Sequence, residues 1–323
     1  MLVIISLIIF LFMVSFLFSQ SSAEELRFST PIIVVTVSDL QPIVREIAGE
    51  RYRVESLLPP GSDPHHFSLT GEDIEMLKKA ELIILANSQL FSFEEKIKTE
   101  FPNKVLDFPD YNATLDNFPG YRQNPHGYWL KPENAIGIAR AVAMKLSEMH
   151  PENRNAFLSN YMEFEARVIN AKKEAGRIAS DLSGKEFVAM VPGVCYIASS
   201  LNITIAAVML SEGSGFVSGT ELSKIKELLK KGKYVGIIVP EFMKGGKGGE
   251  IAEQLAKDTG CRIAYVKFSM GDSDYPTLLI SNAARIAYST RYVNDGYDNL
   301  TLYALAGLCL IESAILFFWR LRS

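Results

Sequence analysis

Three short stretches carry the residues most able to do chemistry: Asp63-Pro-His-His66, Asn124-Pro-His-Gly-Tyr-Trp-Leu-Lys-Pro132 and Gly271-Asp-Ser273. The chain has only 4 His, and two of them directly follow a proline. Proline fixes its own φ and restricts the residue before it, so each of these imidazoles sits on a stiffened loop. Two imidazole nitrogens and a distant carboxylate, His65, His126 and Asp272, form a sparse donor set for a divalent transition metal. Their spacing is far too long for a zinc finger. The fold must gather them from separate loops, which predicts a cleft.

The chain offers little competing chemistry. No Ser-His-Asp or Cys-His set can be assembled, and no motif pairs two carboxylates for acid–base work. Lys244-Gly-Gly-Lys-Gly-Gly249 lacks the Lys-Ser/Thr ending of a phosphate loop and reads as a flexible connection before a helix. His66 reads as a surface neighbour of His65, and His150, before Pro151, as a partner for a helix C-terminus. A net charge of −4 and a pI near 5.7 give no support for nucleic-acid binding.

The elements that must position the donors alternate between strand and helix. Pro31–Val37 is a β-branched run of the kind buried in a parallel sheet, followed by a helix, a turn at Gly49 and a second strand. Thr70, three residues before Asp73, caps the next helix, which runs on into the strand Glu81–Asn87. Residues 132–150 form an amphipathic helix. A longer helix around 153–183 shows an apolar face of Phe157, Tyr161, Phe164, Val168 and Ile169. From Glu186 the same grammar resumes through four more strands, so the fold class is α/β, with two lobes around parallel sheets and a long helix between them. At 323 residues the chain is long enough for two such lobes. The expected division is 24–150, 151–185 as linking helix, and 186–292.

Both ends are apolar. Residues 1–18 carry no charge, and Ser21 and Ala23 suit signal-peptide cleavage near Glu24, with an uncleaved N-terminal anchor as the alternative. Leu300–Trp319 is interrupted only by Glu312 and followed by Arg320 and Arg322. About 20 such residues span roughly 30 Å of hydrocarbon, and the arginines place that end in the cytoplasm. The body of the protein is therefore expected outside the cell, tethered by its tail. Asn112 and Asn202 begin glycosylation sequons that suit a surface chain, and Asn299 begins a third. With Cys309 in the apolar tail, Cys195 and Cys261 either pair as a disulfide or are two small buried hydrophobes.

At these residues the chain resembles the metal-binding solute receptors of ABC importers for zinc and manganese, the cluster A-I type. The likeness runs over roughly residues 31–290. It is carried by Gly49 to Glu94, including Gly61-Ser-Asp-Pro-His65, by Asn124 to Ala135, and by Gly271-Asp-Ser273 before Tyr275. The resemblance implies two lobes holding a divalent ion, zinc before manganese, in the cleft between them. It also implies docking on a permease driven by an ATPase. His65 and His126 match the first and second ligands of the family and Asp272 the fourth. The third position is occupied by Val191, which cannot ligate, unless Glu212, Glu241 or Cys195 stands in for it. Lys131 stands where an acidic residue is usual, and the spacing from His126 to Trp129 is one residue longer. Two other readings remain open: a surface or adhesion protein that keeps the fold and binds little metal, and a metallohydrolase with Glu241 or Glu212 as base. Metal affinity should fall below about pH 6 as imidazoles protonate.

Overall fold

Ile32–Val35 (β1) is almost wholly apolar and buried, and it takes a parallel neighbour on each side, Arg53–Ser56 (β2) and Leu82–Ile84 (β3). A strand buried on both faces needs helices above and below, and the connecting segments supply them. The computed structural model describes residues 30–59, 62, 64–210, 215–268 and 274–292. Its first sheet has the order β2-β1-β3-β4, where β4 is the short Val105–Leu106. Around it lie α1 (Gln41–Ala48), α2 (Gly71–Lys79), α3 (Ser92–Glu100) and α4 (Pro132–Met149). The helix start expected at Thr70 is a capping box: Thr70 and Asp73 each accept from the other's backbone N–H.

The linking helix, α5, runs from Arg154 to Ile178. Its 25 residues reach about 38 Å, somewhat short of the length expected for 153–183. Phe157, Phe164, Val168, Ala171 and Ala175 form its buried face. Ile169, expected on that face, is 56% exposed, because one residue beyond Val168 the helix has turned by about 100°.

The second lobe repeats the first topology. β5 (Glu186–Ala189), β6 (Thr204–Val208), β7 (Tyr234–Pro240) and β8 (Arg262–Val266) pair in parallel in the order β6-β5-β7-β8. Four helices surround this sheet: α6 (Val194–Ser200), α7 (Gly219–Lys230), α8 (Lys247–Thr259) and α9 (Tyr275–Ala287). The protein is thus two α/β lobes with parallel sheets, as expected. Lys244–Gly249 differs from its reading as a flexible connection. Lys247 already begins α8, and Gly248 and Gly249 are buried where a Cβ would collide with Met243. Cys195 and Cys261 are free and buried in two separate apolar cores, which removes the disulfide alternative.

One apolar core spans both lobes, joining Ile33 and Ile83 to Phe187, Tyr196 and Tyr275. A second core lies wholly within the far side of the second lobe. No described helix is long and apolar enough to cross a membrane. The expected segments at 1–23 and 300–319 lie outside the described residues, as does Asn299. Asn112 and Asn202 are exposed, each with left-handed backbone.

Beneath the C-terminal ends of β1 and β3 lies a buried carboxylate. Glu94 accepts from the Thr36 hydroxyl, from Ala86 N at 2.8 Å and from Asn87 N at 2.6 Å. Burial pushes its pKa up to about 7 against the pull of those donors. An acid raised in the folded state favours folding below its unfolded pKa and loses that contribution as pH rises through the folded value. Asp39, in the loop after β1, is also raised by burial, to about 6. Comparison with Glu94→Gln isolates the Glu94 part. Between pH 5 and pH 9, urea unfolding should show the wild type losing roughly 3 kcal/mol relative to that variant. Parallel pH dependence in the two proteins would contradict the assignment.

Candidate metal centre

In an open parallel sheet the carboxyl ends of the strands share one edge, and ligands gather there, beside the point where the strand order reverses. In the first lobe that point lies between β1 and β3. His65 lies in the short helical turn Pro64–His66 after β2, and His126 in the long segment after β4. The fold brings these two rings, far apart in the chain, to 5.4 Å between centroids. Phe91 packs edge-on against His65 at 5.1 Å, and Tyr121 against His126 at 6.3 Å. The aromatic neighbours restrict both imidazoles, and Phe91 is itself buried just before α3.

The His126 loop is shaped by its own residues. Asn124 is fully buried, and its Oδ1 accepts from His126 N at 3.1 Å. Such a side-chain turn fixes the backbone just ahead of the imidazole. Gly127 follows with φ +68°, leading into the turn Tyr128–Leu130. Lys131, at the position usually acidic in similar receptors, binds Asp116 at 2.8 Å and Thr114 at 3.1 Å. Its charge is thereby used within the first lobe. His150 contacts Glu81 and Glu152 at the end of α4, and His66 is exposed beside His65.

The second lobe presents fewer donors. Val191 lies just beyond β5, half-buried against both cores. Cys195 is completely buried, and burial pushes its thiol up to about 12, so it keeps its proton and does not act as a thiolate ligand. Glu241, after β7, receives Arg285 at 2.9 Å and Lys267 at 3.4 Å. Burial works to raise its carboxyl, but those two cations outweigh it and hold it below the usual carboxylate range. Both would have to let go before Glu241 could ligate or act as a base. Asp272, a few residues beyond β8, lies outside the described residues, and so does Glu212. Among the described residues no group of three or more His, Cys, Asp or Glu side chains stands ready to hold an ion. Of the expected donors among the described residues, the structure brings together His65 and His126.

A family model described as "ZnuA: Zinc-uptake complex component A periplasmic" matches residues 33–288. The chain belongs to that family. The manganese ABC transporter substrate-binding lipoprotein PsaA of Streptococcus pneumoniae is 27% identical over 228 residues, covering 66% of this chain and 70% of that protein. A putative metal-binding protein of Thermotoga maritima is 28% identical over 229 residues, 70% of this chain and 79% of its own. Among solved structures, a crystal structure of ZnuA superposes with a TM-score of 0.69 at 23% identity. It covers 81% of this chain and 99% of that one, which shows the shared fold. The resemblance drawn from the Pro-His motifs and the two-lobed fold thus holds.

Sequence reasoning missed the residues that hold the imidazoles. Phe91 and Tyr121 stand outside the Pro-His motifs, and nothing in their local pattern marks them as neighbours of the imidazoles. Val191 remains the position where an added donor is most informative, since the neighbouring Pro192 already meets the His126 loop. Val191→His should tighten zinc binding by about tenfold or more, measured by chelator competition. Unchanged affinity in a folded variant would mean that residue 191 does not reach the ion.

Proposed function

We propose that this protein is an extracytoplasmic receptor that captures one divalent transition metal ion and delivers it to an ABC permease driven by its ATPase. The observation carrying the reading is the approach of His65 and His126 at the carboxyl edge of the first sheet. Asp272 is the proposed third ligand, from the loop after β8. Two borderline nitrogens and one hard oxygen suit zinc better than manganese, which favours oxygen-rich sites. With Val191 in place of a donor, the ion keeps a position open to water. The metal here is cargo, and an open position favours its release to the permease.

We also propose the tail as tether, through the apolar run Leu300–Trp319 and the arginines behind it. The streptococcal relative named above is called a lipoprotein, and for this chain we propose the apolar tail as the membrane attachment. An apolar tail does the same job by a different chemistry. One central charge costs roughly 2.5–3.5 kcal/mol in a bilayer, less than the apolar residues around Glu312 gain by insertion.

His65→Ala and His126→Ala should each weaken zinc binding by about a hundredfold or more, because a site with so few ligands loses a large share of its coordination. Isothermal titration of both variants checks this, and wild-type affinity in both would end the assignment. Removing residues 298–323 should release the folded receptor from cell membranes. A truncated chain that stays bound after a high-salt wash would show the N-terminal segment to be the anchor.

A further inference from the structure

We propose that the second lobe serves the site mainly by gripping the loop that carries His126, with Tyr196 and Asn124 as the positioning residues. This rests on the metal-receptor reading above and adds a role that the family's ligand pattern does not assign. The segment where a second-lobe donor would stand, Val191-Pro-Gly193, is where the two lobes meet. Asn124 donates from Nδ2 to the Pro192 carbonyl at 3.0 Å. The Tyr196 hydroxyl, on α6, donates to the Asn124 carbonyl at 2.5 Å and accepts from Asp116 N at 3.0 Å.

Tyr196 is completely buried, and its ring packs edge-on against Phe118 at 5.2 Å. A buried hydroxyl with two partners is costly to leave half-satisfied, so the loop is held strongly at this point. Backbone contact completes the joint. A Cβ on Gly127 would lie 2.8 Å from Gly193 Cα, and one on Gly193 would lie 2.9 Å from the Phe268 ring. The residue after His126 is thus pressed against the second lobe's main chain, where no side chain fits.

Asn124 links the two halves of the grip. Its Nδ2 reaches the second lobe while its Oδ1 fixes His126 N. Asn124 is thus the side chain that joins the second lobe to the backbone of His126, while the Tyr121 hydroxyl, whose ring packs on His126, donates to the Leu210 carbonyl at 3.1 Å. The His65 ring, in contrast, packs edge-on against Phe91 of its own lobe. A second interlobe tie lies elsewhere: Arg167, on α5, joins Glu46 of α1 to Asp274 at the start of α9. It leaves the His126 loop untouched.

The test compares Tyr196→Phe, Asn124→Ala and their double variant with Glu46→Gln, which opens the other tie at its first-lobe end. Zinc affinity is read by chelator competition, and the imidazole resonances of 15N-histidine-labelled, metal-free protein are read by NMR. Tyr196→Phe should weaken zinc about tenfold and shift or broaden the His126 ring signals while His150 stays in place. Asn124→Ala should do at least as much, and the double variant should lose less than the product of the two, because both act through one loop. Should either single variant fail to fold, the other carries the test. Glu46→Gln should leave the His126 signals unchanged and the affinity within about twofold.

Equal loss in Glu46→Gln would assign the effect to lobe association in general and overturn the proposal. So would affinity loss without a change at His126, or a change at His126 without affinity loss. If His65→Ala and His126→Ala bind zinc like the wild type, the receptor reading fails by itself. If they lose binding and Tyr196→Phe does not, only the positioning role fails.

Discussion

Parallel pairing of strands buried on both faces is the constraint from which the rest of this molecule follows. Each such strand must be reached by a crossover, so every strand of a sheet ends on the same edge. In the first lobe that edge receives the loops after β2 and β4, and hence His65 and His126. In the second it receives the segments after β5, β7 and β8, and hence Val191, Glu241 and the approach to Asp272. Two identical strand orders thus place the described candidate positions His65, His126, Val191 and Glu241 beyond the carboxyl ends of their strands.

The linking helix decides how freely those edges can part. α5 packs along α4 and α9 and contributes Phe157, Phe164 and Val168 to the core shared by both lobes. A hinge of loose chain would let the lobes swing widely. A helix whose apolar face is packed into the shared core and which is tied through Arg167 to both sides resists such swinging, since packed cores deform little. The joint at Asn124 and Tyr196 is separate from that tie and meets the His126 loop directly.

Much of this was legible in the sequence because the signals are local. The β-branched runs at 32–35 and 186–189 are buried strands, and Thr70 with Asp73 marks a helix start through hydrogen bonds three residues apart. The stiff Pro-His pairs singled out two imidazoles as candidates, and the fold sets those rings 5.4 Å apart. What remained hidden depends on partners distant in sequence. Nothing near Tyr196 shows that its hydroxyl meets Asn124, 72 residues away. The two-residue β4 is too short to show a period, and it is a strand because β3 offers it an edge. Ile169 fits an apolar pattern but turns to solvent, because one residue of helix rotation separates it from Val168. The glycines of 244–249 looked like a flexible connection, yet two of them give Met243 room against α8.

The second lobe illustrates how a residue's type and its availability come apart. Read as letters, Cys195 and Glu241 are both metal donors. In the fold, Cys195 is sealed in the core with its proton retained, and Glu241 is matched by Arg285 and Lys267. Those cations also make the described part of that strand end unattractive to a bare positive ion. The first lobe has the opposite character: two imidazoles bracketed by Phe91 and Tyr121, with Lys131 neutralised by Asp116. The proposed nitrogen donors therefore both stand on the first lobe. On the proposed reading the second lobe adds Asp272 and the hold on His126, a division of labour that a valine at position 191 leaves intact.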